Sequence, residues 1–313
     1  MNFLVCMHYT EHILYTLGVY YERDFIKKGF DIFMNILYRL IDVSSHNGDI
    51  DFKKVKADGV QGVIIRAGYG TSTVDKCFHS NIKNAIKYGL HIGVYWFGYA
   101  YSDTLAKKEA QFFTKLISKY RGNIDLPVFY DWEYDSFNYA KKQGVIPTKQ
   151  TVSSWIDKFC SVMEQNGYFV GVYGNLDYVN NYFNDTIKDK YTLWIAQWST
   201  KCTYSGKYGI WQYGAETNKI DKKSVDGISG VVDKNYCYID YPNIIKVKGF
   251  NGYIINLLGD LNHDKKIDSI DVGMLKKYLL GTYDDNLDTA LLDINKDGKI
   301  NSADMIALKK LLK

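Results

Sequence analysis

Behind a short hydrophobic run, the segment Pro127-Val-Phe-Tyr-Asp131-Trp132-Glu133-Tyr-Asp135 places three acids at alternate positions. Residues i and i+2 of an extended strand share a face, with Cα atoms roughly 6.5 Å apart. Asp131 and Glu133 are therefore expected side by side, while Trp132 points the other way, into packing. Like charges at that spacing push pKa values apart, so one acid keeps its proton while its neighbour ionises. A proton donor beside a carboxylate is the equipment for breaking a glycosidic bond. Taken alone, the same pattern also describes a solvated strand end. Two further acids close hydrophobic runs: Asp42 in Leu40-Ile-Asp-Val-Ser44, and Asp233 in Gly230-Val-Val-Asp233. Each has the alternative reading of a turn or helix-cap carboxylate. If the strands close into a barrel, the first and last are neighbours and all four acids reach one mouth.

A second set of acids lies near the C-terminus. Asp260, Asn262, Asp264, Asp268 and Asp271 fall at positions 1, 3, 5, 9 and 12 of a loop, with the Lys266 carbonyl at position 7. Asp293, Asn295, Asp297, Lys299, Asn301 and Asp304 repeat the spacing. This is the logic of an EF-hand loop, which surrounds a hard Ca²⁺ with oxygens, so two Ca²⁺ sites are expected. The second loop keeps Gly298 at position 6 for the sharp turn, whereas the first has Lys265 there. Each loop runs into a helical pattern, with Val272, Leu275 and Leu279, then Ile306, Leu308 and Leu312, on one face. Position 12 is Asp rather than Glu, and Asn256-Leu-Leu-Gly259 does not read as an entering helix.

These acids need a scaffold. Short runs rich in Val, Ile, Tyr and Trp recur at 40–43, 63–67, 92–97, 128–132, 169–173, 193–197, 210–213 and 231–232, and read as buried strands. Helical patterns fall between several of them, at 77–88, 104–119 and 149–166, the last stopping at Gly167. Alternating strand and helix over eight strands predicts a β/α barrel, with a doubly wound open sheet as the alternative. No GxGxxG or GxxxxGK[ST] loop supports a nucleotide site. The pattern weakens near Tyr241-Pro242, so 243–256 is expected to be a linker to the tail over 257–313. Residues 1–37 form an extension of unclear role. It has an amphipathic stretch over 13–38, no convincing signal peptide, and Met34 as an alternative start.

Composition sets outer bounds. The 313 residues allow one large barrel or two ordinary domains, and a net charge of +4 gives no case for nucleic acid. No stretch approaches the roughly 18 apolar residues of a membrane span. The aromatic fraction of 16%, with 28 Tyr, suits a cleft that stacks sugars, or simply fills strands. Cys6, Cys77, Cys160, Cys202 and Cys237 show no zinc spacing and an odd count, so small core residues are expected.

Further motifs carry a resemblance. Ile41-Asp42-Val43-Ser44-Ser45-His46-Asn47-Gly48, Ile65-Arg66-Ala67-Gly68-Tyr69-Gly70, Gly93-Val94-Tyr95-Trp96-Phe97, the Asp131/Glu133 pair, Gly171-Val172-Tyr173, Leu193-Trp194-Ile195-Ala196, Ile210-Trp211-Gln212-Tyr213 and Val232-Asp233 follow in order. From about Arg39 to Tyr241 the chain resembles the glycoside hydrolase family 25 lysozymes. The resemblance implies a modified β/α barrel over 38–242, of eight strands and about five helices. It also implies cleavage of the β-1,4 bond between N-acetylmuramic acid and N-acetylglucosamine in peptidoglycan, without a cofactor in the barrel. By position, Glu133 resembles the general acid, and Asp131 the partner that helps the substrate acetamido group attack. Asp42 and Asp233 match the remaining acids of the mouth. Tyr95, Trp194, Gln197, Trp211 and Gln212 would line the substrate groove, although core packing explains such residues as well. Arg66 is expected to pair with a mouth carboxylate. The tail resembles a dockerin, a small all-α domain of duplicated Ca²⁺ loop and helix whose partner is a cohesin on a scaffold or cell-surface protein. By that resemblance Ser269-Ile270, Ser302-Ala303, Lys276, Lys277, Lys309 and Lys310 would meet the partner. An extracellular or cell-surface location follows from such a function. A barrel that only binds glycan, and an intracellular protein with an unrelated metal-sensing tail, are the competing expectations.

Overall fold

A computed structural model describes residues 35–214, 224–254, 257–264, 266–282 and 287–312. The extension expected over 1–37 lies almost wholly outside the described residues, as does Lys265. The strands are β1 (Tyr38–Val43), β2 (Gly62–Tyr69), β3 (Thr73–Val74), β4 (His91–Phe97), β5 (Val128–Asp131), β6 (Val170–Asn175), β7 (Thr192–Ala196), β8 (Ile210–Gly214) and β9 (Asp233–Cys237). Their order is β1-β9-β8-β7-β6-β5-β4-β2-β3, and β1 pairs with β2, so eight strands close into a barrel. The short β3 folds back antiparallel on the end of β2. Pairing is parallel from β1 through β8, whereas β9 runs antiparallel to both β8 and β1.

Closure follows from the alternation of side chains. Leu40, Ile64, Phe129, Trp194, Ile210 and Cys237 fill the interior, with Leu126, Tyr241 and Ile245 in the same cluster. The opposite faces of the same strands bury Ile41, Val63, Ile65, Val94, Tyr130 and Ile195 against the helices. Those helices are α1 (Phe52–Ala57), α2 (Phe78–Lys87), α3 (Asp103–Ile117), α4 (Tyr134–Lys142), α5 (Lys149–Gln165), α6 (Leu176–Asn181) and α7 (Asp185–Lys190). The three six-residue helices are too short to show a period of their own, which is why a sequence reading finds fewer. Ser102 caps α3, accepting from Leu105 N, and Thr148 opens α5 in a capping box with Thr151.

Two expectations change. The last strand was expected at 231–232 with Asp233 closing it, but Val231 is exposed and Asp233 instead begins β9. An antiparallel neighbour needs no crossover helix, so the chain re-enters the barrel from the mouth. The polar run Asp233-Lys-Asn-Tyr-Cys237 does not read as a strand because its buried Asn235 is paired to other polar groups rather than packed as an apolar residue. The segment expected as a linker instead holds on to the barrel. α8 (Tyr241–Val247) is followed by Asn251, which is fully buried at φ 54. Its Nδ2 donates to the Ile124 and Leu126 carbonyls at 2.9 and 3.2 Å, and its Oδ1 accepts from Phe169 N at 2.8 Å.

The tail is helical, as expected. α9 (Ser269–Leu279) and α10 (Ser302–Leu311) enclose Leu261, Leu275, Leu291, Leu292 and Leu308. Cys77, Cys160, Cys202 and Cys237 are unpaired thiols, two of them buried. Among the described residues no helix is long and apolar enough to cross a membrane.

Candidate active site

The parallel strands direct their C-terminal ends to one mouth, and the reversed β9 directs its N-terminus there. Asp42 on β1 and Asp233 on β9 are direct Cα partners. Asp131 closes β5, and Glu133 stands at the N-cap of α4, its backbone N–H donating to Ser136 Oγ at 3.2 Å. Asp42 Oδ2 accepts from Gln212 Nε2 at 3.0 Å and from Asn235 Nδ2 at 2.8 Å. Gln212 Oε1 in turn accepts from the Tyr173 hydroxyl at 3.1 Å and the Trp198 indole at 3.2 Å. Asn235 Oδ1 accepts from Trp194 Nε1 at 2.7 Å. Arg66 pairs with the buried Asp75 at 2.8 Å and donates to Ser45 Oγ at 3.2 Å.

Burial and crowding leave the mouth short of ionised forms. Burial, then Asp135 and Asp233, lift Glu133 to about 7. Burial, then Asp233, lift Asp42 to about 8 against the hydrogen bonds from Asn235 and Gln212. Burial lifts Asp233 to about 6. Asp131 is held well above the usual carboxylate range by burial, then by Glu133 and Asp42; the Arg66 charge opposes this. Asp131 Oδ1 is buried and has no hydrogen-bond partner. An acceptor left this way in a folded site asks for a donor from outside the protein.

In the tail the described positions of the two loops share several backbone features. His263 and Lys296, both at position 4, take φ of 59° and 58°. Asp260 Oδ1 and Asp293 Oδ1 accept from the N–H of position 5, and Asp264 and Asp297 accept from that of position 7. Asp271 and Asp304 are fully buried; each accepts two backbone N–H bonds, one of them from position 9. Among the described residues no three His, Cys, Asp or Glu side chains converge as an ion-holding cluster. The set offered is instead mixed, carboxylates alternating with Asn262, Asn295 and Asn301 amides and the position 7 carbonyls. An all-oxygen set of this kind suits a hard cation such as Ca²⁺.

A family model described as glycosyl hydrolases family 25 matches residues 41–222. The chain belongs to that family. A second model, the dockerin type I domain, matches 258–313. An autolytic lysozyme of Clostridium acetobutylicum is 32% identical over 197 residues, 62% of this chain and 53% of that protein. Lysozyme M1 of Streptomyces globisporus is 28% identical over 202 residues, 62% of this chain and 66% of that one. The chain therefore spans between about half and two thirds of the length of these relatives. Among solved structures, the modular autolysin LytC of Streptococcus pneumoniae superposes with a TM-score of 0.55 at 32% identity, over 63% of this chain and 46% of that one. A family 25 glycosyl hydrolase of Bacillus anthracis gives 0.55 at 26% identity, over 69% and 93%.

Within this family 25 barrel, Gln212 hydrogen-bonds Asp42, Tyr95 feels the charge of Asp42 and Asp131, and Trp194 reaches Asp42 through Asn235. Tyr95 is shifted upward by burial and then by Asp42 and Asp131, and its ring meets Trp194 edge-on at 5.9 Å. Trp132 is fully buried against Trp155 and Tyr178, as expected. Gln197 spends its amide on Thr203, with Oε1 accepting from Thr203 N at 2.7 Å. Trp211 takes the opposite face of β8 from Gln212, packing on Tyr213 and Tyr236. Sequence reasoning gave no role to Tyr173, Asn235 or Trp198. Tyr173 lies at the mouth end of β6, its ring 4.5 Å from Trp194. Asn235, two residues after Asp233, was hidden with the strand that carries it. Trp198 is 58% exposed while its indole N–H reaches into the site, so an exposed aromatic just past a strand end was the available signal.

Proposed function

We propose that this chain is a peptidoglycan muramidase that cleaves the β-1,4 bond between N-acetylmuramic acid and N-acetylglucosamine. The observation that carries the reading is the buried, unpartnered Oδ1 of Asp131 beside a Glu133 that holds its proton up to about neutral pH. An acetamido N–H is the donor that fits this acceptor. With that bond made, the acetamido oxygen attacks the anomeric carbon as the C1–O bond breaks. The departing oxygen takes its electron pair and the Glu133 proton. Glu133, now a carboxylate, takes a proton from the water that attacks C1 and restores the acetamide. Arg66 is the one influence that opposes the upward shift of Asp131. The acetamido N–H, once bonded to Oδ1, would favour the carboxylate further, which is the direction the step needs. Asp233, lifted only to about 6, is the acid of this pair that carries charge near neutral pH and can stabilise positive charge developing at C1, while Asp42 orders Gln212 and Asn235 around it. Family membership, and the lysozymes among the relatives, support the same substrate class.

The dockerin-type tail would attach the enzyme to a cohesin-bearing partner. Asp260, Asn262, Asp264, Asp268 and Asp271 with the Lys266 carbonyl, and Asp293, Asn295, Asp297, Asn301 and Asp304 with the Lys299 carbonyl, would each hold one Ca²⁺. The ion would supply positive charge that closes each loop. Peptidoglycan lies outside the cytoplasmic membrane, so the chain would act there. The test is mass spectrometry of fragments released from purified peptidoglycan. Muramic acid at the new reducing end is expected; glycan bound without new reducing ends would leave a binding barrel instead.

A further inference from the structure

A second concave surface adjoins the acids, and its interpretation rests on the function just proposed. A cleft of ≈ 620 Å³ is lined by Tyr99, Asp135, Asn138, Tyr139, Lys141 and Lys142. All but Tyr99 come from α4, and 135, 138, 139 and 142 are spaced to share one helix face. Glu133 caps that helix, so the cleft starts beside the proposed acid; at 1.5 Å per residue, Lys142 lies roughly 13 Å along the axis from it. One wall is aromatic. The Tyr99 and Tyr139 rings are 4.8 Å apart, with Tyr69 and Tyr101 continuing the row at 6.1 and 6.2 Å. Tyr99 is held from behind, its N–H donating to the buried Glu109 carboxyl at 2.9 Å. The far end is cationic: Lys141 and Lys142 are exposed, and among the described residues neither joins an ion pair, although the Lys141 ammonium lies 5.7 Å over the Phe137 ring.

A sugar ring presents a C–H face that suits such a tyrosine wall, but an uncharged glycan gives two ammonium groups nothing to pair with. The geometry points to a subsite for a glycan that bears an anion, with a sugar on Tyr99 and Tyr139 and the anion on Lys141 and Lys142. In peptidoglycan that anion is a carboxylate of the peptide carried by muramic acid; a phosphodiester wall polymer supplies the same charge. The enzyme should therefore favour substituted strands over bare glycan.

The test compares wild type with a Lys141→Gln/Lys142→Gln variant of the full chain. Three substrates are used: intact walls, walls freed of phosphodiester polymer by hydrofluoric acid, and glycan stripped of peptide by an amidase. Removing two solvent-screened ion pairs should raise KM about three- to tenfold with kcat unchanged on the first two substrates, and by clearly less on stripped glycan, where the amidase leaves only the lactyl carboxylate held close to the sugar ring. An effect that disappears with acid treatment instead assigns the subsite to phosphate. Equal KM for variant and wild type on all three, or equal slowing on all three, overturns the proposal. The muramidase reading fails separately, if wild type releases no fragments from any substrate. Co-sedimentation of the Glu133→Gln protein, with and without the lysine changes, reads the subsite in that event; equal binding would overturn it.

Discussion

At the scale of the residue, the same burial that raises a carboxyl pKa also fixes which acid can act. Glu133 sits at a helix N-cap on the mouth side, half-buried, whereas Asp131 is 4% exposed. The group nearer solvent can exchange its proton with the leaving oxygen and then with water. Glu133→Gln keeps the shape and removes the proton, so wall hydrolysis should fall by about 10²- to 10⁴-fold while glycan binding persists. Near wild-type turnover would remove Glu133 from the chemistry. The pH dependence has a definite sign. A general acid works protonated, so kcat/KM should fall as pH rises through about 7. After burial, Asp135 is the largest influence holding Glu133 up. Asp135→Asn should therefore move the alkaline limb to lower pH. A limb that stays put, or moves upward, would show that another group controls it.

At the scale of the element, the walls of the mouth are held from the outer layer. Glu109 on α3 is fully buried; it accepts from Tyr99 N and from the Tyr130 hydroxyl, both at 2.9 Å. Tyr130 precedes Asp131 on β5, and the Asp131 carbonyl accepts from Gly98 N at 2.8 Å. A Cβ at Gly98 would come within 2.4 Å of Tyr130, so only glycine lets the turn after β4 lie this close. One buried acid thus ties a helix, a strand and the turn after β4 together. Burial lifts Glu109 from 4.5 to about 8, against those two hydrogen bonds. The folded chain then binds this proton more tightly than the unfolded chain. The stabilisation is full below about 4.5 and is lost as pH rises through about 8. Thermal unfolding should show a decline in Tm across that window, and Glu109→Gln should flatten part of it. An unchanged pH profile in the variant would mean that Glu109 does not carry the effect.

At the scale of the whole molecule, barrel and tail depend on different forces. The barrel closes on two extensive apolar clusters, one inside the strands and one beneath the helices. The tail has five fully enclosed leucines and no cysteine, too little for a domain of this size without a staple. If its loops hold the cations proposed above, neutralising their carboxylates would couple metal binding to folding. In the full chain, EDTA should abolish the helical signal and unfolding transition of the tail, while the barrel transition and wall hydrolysis survive. Asp260→Ala with Asp293→Ala should reproduce this in the presence of Ca²⁺. A tail transition at the same temperature in EDTA would show that its core suffices.

How much was legible in the sequence differs between these scales. The Asp131/Glu133 alternation, the duplicated oxygen spacing from Asp260 and Asp293, and the parallel strands through β8 all rest on local periodicity, which a linear text carries in full. Gly167 ends α5 at φ 76° for an equally local reason, since a left-handed residue after a helix favours glycine. The reversal of β9 was not legible. Asn235 is a buried polar residue whose place in a strand makes sense only beside Asp42 and Trp194, far away in sequence. Asn251 is a similar case, an ordinary residue of a polar stretch until the carbonyls of Ile124 and Leu126 are brought to it. Tyr95 and Trp211 were read alike as groove residues; one feels the charge of the acids and the other turns to the opposite face of its strand. Periodicity thus determined the longer helices, the parallel strands and the spacing of their acids. Which side of each strand faces the mouth, and which polar groups satisfy one another there, was decided by closure of the barrel, because both depend on pairings between residues distant in the chain.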